Sequence, residues 1–202
     1  MKQHVTPRDW PDETVFIVAS GPSVLRFNFN SIAGRRTLAV KDGYLLAPNA
    51  DALLIGDHRY ARRSPDLSGY KGSLILYTDP EPLPEKLADP RIEFIPKVAG
   101  RGLSRNPKQL QGTFTTTALA INYAVLRGAK RIGLIGVDGK AGPDNERHFT
   151  GTLQEDWHVR YVRQRWGFTR LVDDLKRLQI EVYNLNPHSA INMFPYKRAR
   201  DI

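Results

Sequence analysis

The 202-residue chain has no cysteine. That excludes a disulfide framework, cysteine-ligated zinc and a thiol nucleophile, and it fits a reducing compartment. No apolar run is long enough to span a bilayer, and Met1 to Trp10 lacks the apolar core of a secretory signal. A soluble, cytoplasmic protein with no membrane partner is expected. Acidic residues are scarce: 21 against 30 Lys and Arg, which leaves a formal net charge of +9. Such an excess favours polyanions, whether nucleic acid, anionic lipid or phosphorylated small molecules. The cations cluster at Arg59, Arg62 and Arg63, at Arg160, Arg163 and Arg165, and at Lys197, Arg198 and Arg200. A solvated basic surface and a nucleic-acid face explain these clusters equally well. Motifs are missing too. Without GxGxxG or a Walker loop there is no case for NAD or a P-loop ATPase. Without GxSxG or HExxH there is none for a serine-triad hydrolase or a zincin.

What is present has the ordinary globular balance, 41% hydrophobic and 25% charged. No linker, repeat or low-complexity tract divides the chain, so residues 1–202 read as a single domain. Short apolar runs bounded by turn residues predict buried strands at Thr14 to Ala19, Arg36 to Val40, Ala52 to Ile55, Ser73 to Tyr77 and Ile92 to Ile95. Two more follow at Lys130 to Ile135 and Glu181 to Asn184. Thr115 to Arg127 puts Ala118, Ile121, Ala124 and Val125 on one helical stripe, stopped by Gly128. Arg160 to Leu178 predicts a second helix with Trp166, Leu171, Leu175 and Leu178 inward. The stretch from Ala99 to Gln111 has no periodicity and reads as an ordered or mobile loop, long enough to be a lid. The basic tail from Lys197 is expected to be loose. Strands this apolar, alternating with helices, predict an α/β fold: a mainly parallel sheet with helices on both faces.

In such a sheet, ligands bind outside the carboxyl ends of the strands. Small and polar residues fall at those ends. Ser20, Gly21, Pro22 and Ser23 close the first run, where Gly21 permits close backbone approach and Ser23 can cap a helix or meet a phosphate. Asp42, Asp57 and Asp138 (after Gly136) follow three others. If they converge, a divalent metal such as Mg²⁺ would fit; the plainer reading is helix caps. Thr113, Thr115, Thr116 and Thr117 open a helix, which suits either a phosphate site or an ordinary cap. His148 and His158 flank a loop and are candidate general bases; solvated loop histidines are the plainer reading.

Several of these blocks together resemble a known set. Val18 to Leu25 is similar to the "GxGPSL" opening of small bacterial sialyltransferases and of the family containing the archaeal 6-hydroxymethylpterin pyrophosphokinase. Val40 to Tyr44, Ala47 to Asp51, and Gly56-Asp57 resemble a "V-N-D-x-Y…A-P-x-A-D…D" segment of phage and prophage members. Thr115 to Thr117, Gly128 to Ile132 and Gly136 to Asp138 resemble a "T/N-S-G…G-x-K-x-I-x-L-x-G-x-D" block. Arg147 to Gly151 is similar to "R-x-H-x-H-G", and Val182 to Ser189 to "V-x-N-x-x-P-x-S". Ser20 stands where the sialyltransferases carry asparagine, and Thr116-Thr117 where they carry Ser-Gly.

The resemblance implies a Rossmann-like, nucleotide-dependent transferase, most directly a glycosyltransferase with a nucleotide-sugar donor. The nucleotide would lie over Ser20 to Ser23, Asp42, Thr115 to Thr117, Gly136 and Asp138. His148 or His158, with Asp57, would serve the acceptor, and Arg101 or Arg105 the departing phosphate. The phage-type motifs and the positive charge together make modified DNA one acceptor to consider. Two alternatives stand beside this: a Mg²⁺- and ATP-dependent pyrophosphokinase-like enzyme, and a non-catalytic, nucleic-acid-associated binding protein on the same fold.

Overall fold

The computed structural model describes residues 1–63, 65–112, 114–151 and 157–202, with the side chains of Trp157 and His158 left aside. Its centre is an eight-stranded, wholly parallel sheet in the order β1-β6-β5-β4-β3-β2-β9-β10. These strands are β1 (Lys2–Gln3), β2 (Thr14–Val18), β3 (Arg36–Val40), β4 (Ala52–Ile55), β5 (Ile75–Tyr77), β6 (Ile92–Phe94), β9 (Arg131–Ile135) and β10 (Glu181–Asn184). Two short strands, β7 (Lys97–Val98) and β8 (Leu110–Gln111), pair apart from it. All five residues of β2 and all four of β4 are buried, because each central strand is covered on both faces.

Alternate side chains go to opposite faces. Val15, Ile17, Leu38, Val40 and Leu54 meet helices α2 (Thr116–Arg127) and α3 (Trp157–Arg177). Phe16, Val18, Ala39, Leu53 and Ile55 face the other way, under 3₁₀ turns and the short helix α1 (His58–Ala61). Thr115 caps α2 by accepting from Thr117 N, and Gly128 ends it in the left-handed conformation at φ 107°.

Two expectations are corrected, and one open between two readings is decided. Trp166 is 62% exposed. The inward stripe of α3 is Phe168, Leu171 and Leu175, and Trp166 sits about 200° round the helix from Phe168. Of the ordered and mobile readings of the stretch before α2, the structure has the ordered one, a loop stapled to both helices. Gly102 N donates to Arg170 O (3.0 Å), Leu103 N to Asp174 (2.7 Å) and Ser104 N to Asn122 (3.0 Å), while Leu103 and Leu110 are buried. The basic tail is docked too: Asn184 N donates to Pro195 O, Lys197 Nζ to Tyr183 Oη (2.9 Å), and Ala199 is buried. Among the described residues no helix is long and apolar enough to cross a membrane.

Candidate active site

The sheet order reverses beside β2. From β2 the chain builds outward through β3, β4, β5 and β6, then returns to place β9 on the other flank. The connections that follow β2 and β9 therefore run to opposite faces of the sheet, and a crevice opens at the strand ends. A cleft of about 760 Å³ lies there, within the usual range for a small-molecule site. Ser20, Gly21, Asp42, Asp57, Thr115, Thr116, Thr117, Gly136, Asp138 and His148 all line it. Pro22 and Ser23 stand behind the wall, in a 3₁₀ turn (Pro22–Arg26). The side chain of His158 and the whole of Thr113 lie outside the described residues.

Glycines and one carboxylate bring the turns together. Gly21 N donates to Gly136 O (2.8 Å), and a Cβ on Gly21 would stand 2.5 Å from that same oxygen. Asp138 accepts from Ser23 N (2.9 Å), from Ser23 Oγ and from Asn186 Nδ2 (2.8 Å), so it ties together the turns after β2, β9 and β10. A Cβ on Gly56 would stand 2.3 Å from Thr116 Oγ1, which places the end of β4 directly against the start of α2. The amide-rich N-terminus of α2 carries partial positive charge into the cleft.

Asp57 caps α1 through Tyr60 N (2.8 Å) and pairs with Lys41. Burial works against its charge, but the Lys41 ammonium and these hydrogen bonds outweigh it and hold the carboxyl below the usual range. An acid held ionised in this way does not take up a proton near neutrality. Asp42 accepts from Tyr60 Oη (2.8 Å), and burial followed by the charge of Asp42 keeps that phenol protonated. The three aspartates are thus matched one by one with protein donors. Among the described residues no group of three or more His, Asp or Glu could hold a metal ion.

His148 Nδ1 lies 2.8 Å from Ser20 Oγ, and Phe149 N donates to Ser20 O. Burial, then the charges of Arg147, Lys41 and Arg63, push its pKa down to about 4. At neutral pH the ring is uncharged. Cationic side chains outnumber carboxylates around the cleft, so its field favours an anion.

Some lining residues escaped the sequence reading. Lys97 Nζ donates to Gly56 O (2.9 Å) and pairs with Asp79, which is buried. Asp79 follows β5 as Asp57 follows β4, so the rule of polar residues at strand ends would have found it. Lys97 carried no such signal. Arg101 and Arg105 do not line the cleft; the charges around His148 are Lys41, Arg63 and Arg147.

No protein-family model and no curated protein sequence matches the chain. Solved structures do. The sialyltransferase CstII from Campylobacter jejuni, in complex with the substrate analogue CMP-3FNeuAc, is 13% identical with a TM-score of 0.54 over 93% of this chain and 87% of its own. A CST-II variant in complex with CMP gives 13% and 0.58 over 94% and 88%. The MAf glycosyltransferase from Magnetospirillum magneticum AMB-1 gives 14% and 0.62 over 100% of this chain but 36% of its own. The chain therefore has the α/β fold found in these glycosyltransferases, and at such identities the likeness shows the fold alone.

Proposed function

We propose that the protein is a glycosyltransferase using a nucleotide-sugar donor. The observation that carries this is the placement of His148: a neutral imidazole, braced by Ser20, in a cation-rich crevice at the strand-order switch. In this reading the donor phosphate lies at the Ser20–Gly21 turn and the start of α2, where backbone amides and positive field converge. Nδ1–H of His148 donates to Ser20 Oγ, which leaves Nε2 to accept the acceptor hydroxyl proton. The acceptor oxygen bonds to the anomeric carbon as the bond from that carbon to the donor phosphate breaks. The phosphate departs as an anion into the field of Lys41, Arg63 and Arg147. A pyrophosphokinase-like reaction would instead require the cleft aspartates as Mg²⁺ ligands, and their existing partners argue against that.

The test is thermal unfolding with CMP, UDP, GDP and ADP, each with and without EDTA. CMP comes first, because structural neighbours of this chain were solved with it. At one hundred times Kd a bound nucleotide adds about 2.7 kcal/mol. For a chain of this size that raises Tm by roughly 5–10 °C. The expected outcome is such a rise for one nucleotide, unaffected by EDTA. If no nucleotide moves Tm, the reading fails.

A further inference from the structure

We propose that the mouth of the cleft continues into a binding track for single-stranded nucleic acid. Resting on the transferase reading above, this makes a base-bearing phosphodiester strand the acceptor.

The first observation is charge in excess of what a donor needs. Arg59, Arg62 and Arg63, in and just after α1, and Arg160 and Arg163 of α3 all line the cleft. None of these five has an ion-pair partner among the described residues. Two of them, Arg160 and Arg63, also act on Arg147, whose pKa burial and then their charges lower. One donor phosphate neutralises only part of such a cluster. A phosphodiester chain supplies anions in series along the whole rim.

The second observation is aromatic. Phe114 lines the cleft, is 50% exposed and takes a left-handed backbone at φ 66°, a strained conformation for an aromatic residue. Trp166, 62% exposed, stands one turn along α3 from Arg163. The Arg170 guanidinium lies 5.6 Å from the Phe114 ring centroid and 5.9 Å from that of Trp166. Two exposed rings bridged by a planar cation, at the edge of an arginine-lined groove, form the stacking platform that single-strand binders use. Duplex DNA keeps its base faces in its own stack and has none to offer these rings.

The experiment is fluorescence anisotropy of the full chain with a labelled oligothymidylate, an abasic strand of equal length and a sulfated oligosaccharide of equal charge. The oligothymidylate is expected to bind tightest, with log K falling linearly as log salt rises. Trp166→Ala and Phe114→Ala should each weaken it by roughly 5- to 100-fold, a stacked base being lost. Both should leave the abasic strand almost unchanged. Equal affinity for all three probes, or a Trp166→Ala variant that binds as the parent does, overturns the proposal. The CMP-dependent Tm rise, measured on Trp166→Ala, separates the two readings. In that variant a retained rise with weakened strand binding supports the track, whereas a parent chain that shows the rise but binds no strand sinks the track and leaves the transferase. Strand binding with base dependence but no nucleotide response supports the track and removes the transferase.

Discussion

His148 takes up a proton only after its surroundings have lost positive charge or gained water, because burial and three neighbouring cations together oppose the imidazolium. A donor phosphate supplies the opposite field. Nucleotide binding should therefore raise the pKa of His148 and draw protons from solution near pH 5, visible in calorimetry as a binding heat that varies with the buffer. The same shift bears on stability. The group ionises near 6.5 when unfolded and near 4 when folded, so between those values the unfolded chain binds the extra proton. Stability is full above about pH 6.5 and is lost as pH falls towards 4, by roughly 3 kcal/mol once protonation is complete. Substituting His148→Gln should flatten that part of the stability curve, measured by urea unfolding at stepped pH. An unchanged slope would mean that the ring is not held in the environment described.

At the scale of elements, the cleft exists because strand ends approach more closely than side chains allow. A methyl at Gly21 would push against Gly136 O, a backbone atom one residue beyond the β2–β9 ladder that accepts from Gly21 N itself. Gly21→Ala should destabilise by about 2–4 kcal/mol and abolish nucleotide binding. Gly69→Ala, in a 3₁₀ turn with nothing within 4 Å of the added atom, should change stability by less than about 1 kcal/mol. Denaturant midpoints of the two variants decide it. This closeness also explains what could be read in advance. The runs at Arg36 to Val40 and Ala52 to Ile55 became strands with the expected bounds, since burial on both faces leaves a continuous apolar signature. The turns at 20–21, 42, 57, 115–117 and 136–138 reached one cleft because strand ends in a parallel sheet share a rim. Partnerships across that rim were not legible. The Lys41–Asp57, Lys97–Asp79 and Ser20–His148 pairs depend on which strands become neighbours, and local pattern does not encode strand order. The loop before α2 stayed open between an ordered and a mobile reading for a related reason. Its anchor, Asn122, is a fully buried polar residue inside a helix, and its partners are remote in sequence.

For the whole molecule, the excess of +9 acts through its placement as much as its size. Arg62 lies at the carboxyl rim of the sheet, beside the cleft; Arg131 opens β9 at the amino rim, exposed to solvent. The five residues of β9 separate the two rims by about 16 Å. That is twice the roughly 8 Å over which charge acts at physiological salt. Arg62→Glu and Arg131→Glu change the net charge equally, so a mechanism driven by net charge alone slows nucleotide association equally in both. Focusing by the cleft makes a different forecast: the association rate falls several-fold for Arg62→Glu and barely for Arg131→Glu. Stopped-flow measurement of CMP binding distinguishes them, and adding salt should close the gap by slowing the parent to the rate of the Arg62→Glu variant. Equal rates for the two variants at low salt would place the attraction in the molecule's overall charge and remove the cleft's special field.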